Sequence, residues 1–196
     1  NEHKSIAVVG SRKISAVGAK LAYNAGSIIG KNGFNLVNGL ALGCDAEALK
    51  GALAAGGKCA VVLPCGINEI YPKSNQWIAE EVLKQGGCLI SEYPEGTRPE
   101  KYRFVQRDRL QSGMSQGVLV VEAMEKSGTM HTAEYAKKQN RRLACYYHGL
   151  LKYSTGNNVL ENLYQAAVIK TNEDLENYLC EIADIEEYTQ LSFDFV

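Results

Sequence analysis

Ser5-Ile-Ala-Val-Val-Gly10-Ser-Arg12 carries four consecutive apolar residues, then a glycine, then a hydroxyl and a guanidinium. A run without polar alternation reads as a strand covered on both faces, the pattern of a parallel sheet. Parallel neighbours need a crossover of a dozen or more residues. Ser15 to Lys31 supplies one, a predicted helix with Val17, Leu21, Ile28 and Ile29 at apolar positions. The same unit recurs along the chain. Phe34 to Val37, Cys59 to Pro64, Cys88 to Ser91, Val118 to Glu122 and Arg142 to Tyr147 are predicted as further strands. Cys44 to Ala55, Ser74 to Lys84, Phe104 to Met114, Thr129 to Gln139, Val159 to Ala166 and Asn172 to Cys180 are predicted helices. Short apolar strands alternating with helices predict an α/β fold: an extended Rossmann-like, doubly wound, mostly parallel sheet with helices on both faces.

At 196 residues the chain suits one sizeable domain over residues 1–172, followed by an acidic C-terminal helix and tail over residues 173–196. The formal charge of −1 hides an asymmetry. From Glu173 onward there are eight acids and no Lys or Arg, which leaves 14 acids against 21 bases in residues 1–172, about +7. A basic body favours anionic partners, nucleic acid among them. No run approaches the ~18 apolar residues of a membrane span, so no membrane association and a cytoplasmic location are expected. Cys44, Cys59, Cys65, Cys88, Cys145 and Cys180 show neither a Cys-x-x-Cys pair nor a histidine at ligand spacing. They are expected as reduced core residues, with no metal site. The chain opens on Asn1-Glu-His-Lys4 without an initiator Met or an apolar leader, so a trimmed piece with further sequence upstream is expected.

In doubly wound sheets ligands sit at the carboxyl ends of the strands, at the switch in strand order. The loops that follow strands are therefore the candidate site. Gly10 lets backbone approach a ligand, Ser11 offers a hydroxyl and Arg12 a planar fork for phosphate. The spacing is not G-x-G-x-x-G and no acid closes the second strand, so a dinucleotide cofactor is disfavoured and no cofactor is expected. In Asn38-Gly-Leu-Ala-Leu-Gly-Cys-Asp45 the acid is expected to cap the helix that follows. Ser127-Gly128-Thr129-Met-His-Thr132 opens a helix whose free N–H groups and hydroxyls suit an anion; His131 within it is expected as a surface residue rather than a base. Arg107 and Arg109 flank Asp108. From Arg98 to Arg109 there are five bases and two acids, with Tyr102 and Phe104 interleaved. Bases with aromatics suit single-stranded nucleic acid, in which phosphates meet cations and bases stack on rings.

Seven of these motifs stand together in one known family. Gly10-Ser-Arg12, Asn38-Gly-Leu-Ala-Leu-Gly-Cys-Asp45, Pro64-Cys-Gly66-Ile-Asn with Ile70-Tyr-Pro72 and Asn75, Gly87-Cys-Leu-Ile-Ser-Glu92-Tyr-Pro94, Phe104-Val-Gln-Arg-Asp-Arg109, Val118-Leu-Val-Val-Glu122-Ala, and Ser127-Gly-Thr129 with Thr132-Ala133 follow the order found in DprA/Smf DNA-processing proteins. The resemblance covers roughly residues 5–170. It implies an extended Rossmann fold, single-stranded DNA binding without strong sequence preference, a homodimer, and loading of a RecA-type recombinase during natural transformation, with no catalytic residue. By position, Gly10, Ser11, Arg12, Arg107, Arg109 and the loop Ser127, Gly128, Thr129 and Thr132 would form a basic phosphate pocket. Gly39, Gly43 and Gly66 would shape its floor and Lys73 its rim. The chain also departs from the family. The usual Arg-Asn-Arg is Arg107-Asp-Arg109, which puts a carboxylate in the pocket. Asn38 and Leu42 stand where the family has Ser and Arg, and Tyr147-His-Gly149 replaces a Pro-Gly turn.

The alternative is a small-nucleotide sensor, or an enzyme similar to LOG-type nucleoside-monophosphate phosphoribohydrolases. Those have Pro-Gly-Gly-x-Gly-Thr with Glu close behind, whereas after Ser127-Gly-Thr129 the next Glu is Glu134. Glu92 and Glu122 are the remaining candidate acids, equally explained by pairing with Arg. The acidic end Phe193-Asp-Phe-Val196 is a candidate to compete with DNA for the basic body or to dock on a partner.

Overall fold

The computed structural model describes residues 4–184. Seven strands, β1 (Ser5–Val9), β2 (Asn35–Asn38), β3 (Cys59–Val62), β4 (Cys88–Ile90), β5 (Gly117–Val120), β6 (Arg142–Tyr146) and β7 (Ala167–Ile169), alternate with seven helices. These are α1 (Ala16–Lys31), α2 (Cys44–Ala54), α3 (Gln76–Lys84), α4 (Lys101–Gly113), α5 (Thr129–Lys138), α6 (Thr155–Tyr164) and α7 (Asn172–Ala183). The strands form one sheet in the order β4-β3-β2-β1-β5-β6-β7, and each neighbouring pair is parallel. The chain moves outward from β1 to β4, returns, and moves outward again from β5 to β7. Its switch point lies between β1 and β5.

Alternation along β1 sorts the core. Ile6 and Val8 face one layer, with apolar residues of α1, α2, α3 and α7. Ala7 and Val9 face the other, with α5, α6 and Leu110 of α4. Both faces of the strand are covered, as its unbroken apolar run requires. Helix α1 starts where the Ser15 hydroxyl accepts a hydrogen bond from the Gly18 amide. It crosses α2 with the two backbones touching: a Cβ on Gly26 would lie 1.9 Å from the Ala48 carbonyl oxygen, and one on Gly51 1.9 Å from that of Tyr23. Helix α7 buries Leu175, Tyr178, Leu179 and Ile182. The Tyr178 hydroxyl donates to the carbonyl of Arg142 at 2.9 Å. The acidic segment 185–196 lies outside the described residues.

Three expectations change. Strand β7 is a seventh strand where none was predicted; it is three residues long and starts on an exposed Ala167, too short to show a period. The helix expected over Val159–Ala166 is α6, which ends at Tyr164 because Gln165 takes a left-handed conformation, φ 55°. Cys88 and Cys180 are exposed, while Cys44, Cys59, Cys65 and Cys145 are buried as expected.

Candidate functional site

The loops after β1 and β5, at the switch point, open onto a cleft of about 850 Å³ whose third wall is α4. Lys101, Phe104, Val105, Arg107, Asp108 and Gln111 of α4 all line it. Their spacing is that of one helix face. Further lining comes from Gly10, Ser11, Arg12 and Lys13 after β1, Ala41 and Asp45 after β2, Tyr71 after β3, Lys126 after β5, Ser127, Gly128, Thr129 and Thr132 at the start of α5, and Tyr153 before α6.

Of the predicted site residues, Gly10, Ser11, Arg12, Arg107, Ser127, Gly128, Thr129 and Thr132 are thus brought together. Arg109, Gly39, Gly43, Gly66 and Lys73 are not in the lining. Arg109 stands two residues past Arg107, a rotation of about 200° around the helix, and its guanidinium is held by Glu92 at 2.6 Å. Gly39 lies behind Arg107: a Cβ there would be 1.7 Å from its Nη1, so glycine is what lets the guanidinium lie flat on the loop. Gly43 has φ +74° and packs on the carbonyls of Ser11 and Arg12, and Gly66 packs on that of Pro94. Lys73 is exposed on a 3-10 turn, Lys73–Asn75.

The cleft is electrostatically layered. At its floor Arg107 is 4% exposed. Its Nη2 donates to the Gly39 carbonyl at 3.3 Å, and its Nη1 lies 3.4 Å from the Asp108 carboxylate. Asp108 also accepts from the Gln111 amide at 2.9 Å. Asp45 does not cap α2 in the expected way; its Oδ2 accepts the amides of Gly39 (3.0 Å) and Ala41 (3.2 Å) and so braces the loop before the helix. Burial pushes both carboxylates up in pKa, and the Arg107 charge opposes that without cancelling it. At the rim, Arg12, Lys13, Lys101 and Lys126 are exposed. Among the described residues none of the four makes an ion pair. The Arg12 guanidinium lies 4.9 Å over the Phe104 ring, and Tyr71 meets that ring edge-on with centroids 5.6 Å apart.

Glu122, a candidate acid from the sequence, is fully buried. Its carboxylate accepts the Ser15 amide at 2.7 Å and the Tyr153 amide at 3.0 Å. It ties the loop after β1 to the loop before α6, and its partners are backbone amides rather than the arginine expected. Sequence reasoning passed over Lys13, Lys101, Lys126, Tyr71 and Tyr153 as lining residues. Lys13 adjoins Arg12, and Tyr71 stood inside a quoted motif without a role; Tyr153 has no local signal, because only the fold brings that loop to the cleft.

Asp108 yields a pH-dependent prediction. Its carboxyl is raised from 3.8 to about 6, chiefly by burial. The folded state therefore holds this proton more tightly than the unfolded state, and folding is opposed increasingly as pH rises from about 4 through about 6. The difference amounts to about 3 kcal/mol when complete. Asp108→Asn removes the charge, so it is expected to stabilise the protein by about 1–3 kcal/mol at pH 7–8, a gain that vanishes near pH 4. Urea unfolding at both pH values checks this; a destabilised variant at pH 8 would contradict it.

A parallel Rossmann-like sheet with a cleft at its switch point, a cationic rim and aromatic rings beside it, defines a doubly wound α/β domain with its candidate site at the strand carboxyl ends. The chain belongs to the DNA recombination-mediator protein A family, whose model matches residues 1–179. It is 41% identical to protein Smf of Escherichia coli strain K12 over 138 residues, 70% of this chain and 37% of that one. It is 36% identical to DNA processing protein DprA of Bacillus subtilis over 140 residues, 71% of this chain and 47% of that one. It thus spans roughly a third to a half of such curated relatives. Among solved structures, DNA processing protein A of Helicobacter pylori, described for its single-stranded DNA binding mode, superposes with a TM-score of 0.81 at 30% identity, covering 91% of this chain and 80% of that one. The molybdenum cofactor carrier protein of Chlamydomonas reinhardtii, with a TM-score of 0.64 at 18% identity, covers 92% of this chain and 98% of that one and shares the fold. No helix among the described residues is long and apolar enough to cross a membrane.

Proposed function

We propose that the chain binds single-stranded DNA in the switch-point cleft, with phosphates at the cationic rim and a base against the Phe104 and Tyr71 rings. The observation that carries this reading is Arg12 over Phe104 at 4.9 Å. One side chain there offers a phosphate fork while holding flat the ring on which a base can stack. The family membership and the Helicobacter pylori relative support the same ligand. In this reading the protein acts in the cytoplasm as a homodimer, delivers the strand to a RecA-type recombinase and performs no chemistry of its own.

Binding by four rim cations should show a salt slope of about −3, so that affinity falls by about 50-fold between about 50 and about 200 mM salt. Fluorescence anisotropy with a labelled oligothymidine measures it. Salt-insensitive binding, or none at low salt, would sink the reading. The cleft volume also admits a single nucleotide, which keeps a small-nucleotide sensor as the second reading. Nucleoside monophosphates that displace the oligonucleotide at micromolar concentration would favour it. A hydrolase is disfavoured because the Glu122 carboxylate is engaged by two backbone amides.

A further inference from the structure

A second concave surface lies at the opposite end of the sheet. Lys137, Asn140, Arg141, Arg142, Tyr164 and Glu181 are among the residues that line a cleft of about 430 Å³ beside the first residues of β6 and β7. It is fed by the segment Lys137-Lys-Gln-Asn-Arg-Arg142, four cations in six residues. Lys137, Lys138 and Arg142 are exposed. Among the described residues none of the four cations forms an ion pair, and Glu181 is the one acid in the lining. Two of the cations sit on aromatic rings, Lys137 at 5.0 Å from Tyr164 and Lys138 at 5.8 Å from Tyr135. Arg141 is fixed differently. Its Nη2 donates to the Gly113 carbonyl at 2.9 Å, while its buried Nε has no partner among the described residues.

Helix α5 joins the two clefts. Its first residue, Thr129, lines the switch-point cleft, and Lys137 near its end lines the second. Eight helical steps place these two residues about 12 Å apart along the axis. The charge, the concavity and the rings repeat the first cleft's chemistry on a surface reached along one helix. We infer that the Lys137–Arg142 surface is a second polynucleotide-backbone site, which holds the phosphates of a single strand that has already entered the switch-point cleft. This rests on the reading of the first cleft. The cations grip phosphate as point charges or forks, and Tyr164 offers a face to a base. An occupant of this kind makes the affinity depend on strand length, since a short strand fills only one cleft.

The test compares oligothymidines of about 6 and about 30 nucleotides against the wild type, Lys137→Ala/Arg142→Ala, and the equally charged control Lys20→Ala/Lys31→Ala on the remote face of α1. All four side chains are exposed, so the variants should fold, which circular dichroism checks. The expected result is unchanged binding of the short strand and about tenfold weaker binding of the long one by Lys137→Ala/Arg142→Ala. Its salt slope for the long strand should fall by about 1.4, and the control pair should change little. If both lengths weaken equally, or the control pair does the same, the surface acts only as general charge and the inference is overturned. If the long strand is unaffected while the short one still binds in a salt-dependent way, the inference fails and the first cleft stands. Absence of short-strand binding by the wild type would instead remove the reading of the first cleft.

Discussion

Arg12→Ala is expected to weaken oligothymidine binding about 10- to 30-fold and to flatten the salt slope by about 0.7, with no change in melting temperature. Arg12 is exposed at the rim and makes no ion pair among the described residues, so folding does not depend on it. Its loss removes a charge-assisted phosphate contact of about 1.5–2 kcal/mol. It also frees the Phe104 ring it covers at 4.9 Å. Two companion variants separate the parts. Arg12→Lys should restore the slope but only part of the affinity, because ammonium lacks the planar face that lies on the ring. Phe104→Ala should lose about 1–3 kcal/mol of stacking while keeping the wild-type slope. Arg109→Ala is the control. That arginine is already held by Glu92 at 2.6 Å and stands outside the cleft, so binding should stay within about twofold, the scale of an exposed pair. Anisotropy titrations at two salt concentrations decide; an Arg109→Ala loss equal to that of Arg12→Ala would mean that the strand runs along the other face of α4.

The contrast between these two arginines shows what was legible in the sequence and what was not. The unbroken apolar run at Ile6–Val9 and its repeats gave the parallel sheet, because burial on both faces leaves a period-free signature in the chain itself. The cleft's place followed from topology; seven of its lining residues followed from reading the loops after strands, and Arg107 from the charged segment before β5. Which way α4 turns was not legible. Arg107-Asp-Arg109 reads as three adjacent charges, yet the helix sends Arg107 and Asp108 to the floor and Arg109 to Glu92. The motif resemblance aligned the pair of arginines without distinguishing them. The layering of charge, acids below and cations above, also has no sequence period, since Lys13, Lys101 and Lys126 come from three separate segments. Strand β7 escaped for a simpler reason: three residues between helices carry too little pattern to be told from a loop.

Arg107→Ala is expected to behave as a stability mutation rather than a binding one, with a loss of about 3–5 kcal/mol and a fall in melting temperature of roughly 10 °C or more. The residue is 4% exposed. It lies against the Asp108 carboxylate, and its charge favours the ionised form of Asp45 as well. Removing it takes from two buried carboxylates the cation that acts on them most strongly and leaves a space over Gly39, which the guanidinium fills. The two acids should then take up protons at higher pH than in the wild type, so the loss should shrink as pH falls toward 5, opposite in direction to any effect of weakened phosphate binding. A rescue experiment makes the argument specific. Arg107→Ala combined with Asp108→Asn should recover a sizeable part of the lost stability, a coupling of about 1–3 kcal/mol between neighbours, because the second change removes one of the stranded charges. If Arg107 were instead chiefly a phosphate ligand, the single variant would keep its melting temperature, lose oligonucleotide affinity, and gain no more stability from Asp108→Asn than the wild type does. Thermal and urea unfolding of the two singles and the double, set beside their anisotropy titrations, separates these roles. The expected pattern leaves Arg12 as the phosphate anchor and Arg107 as the counter-charge that lets an acidic floor exist beneath a basic rim.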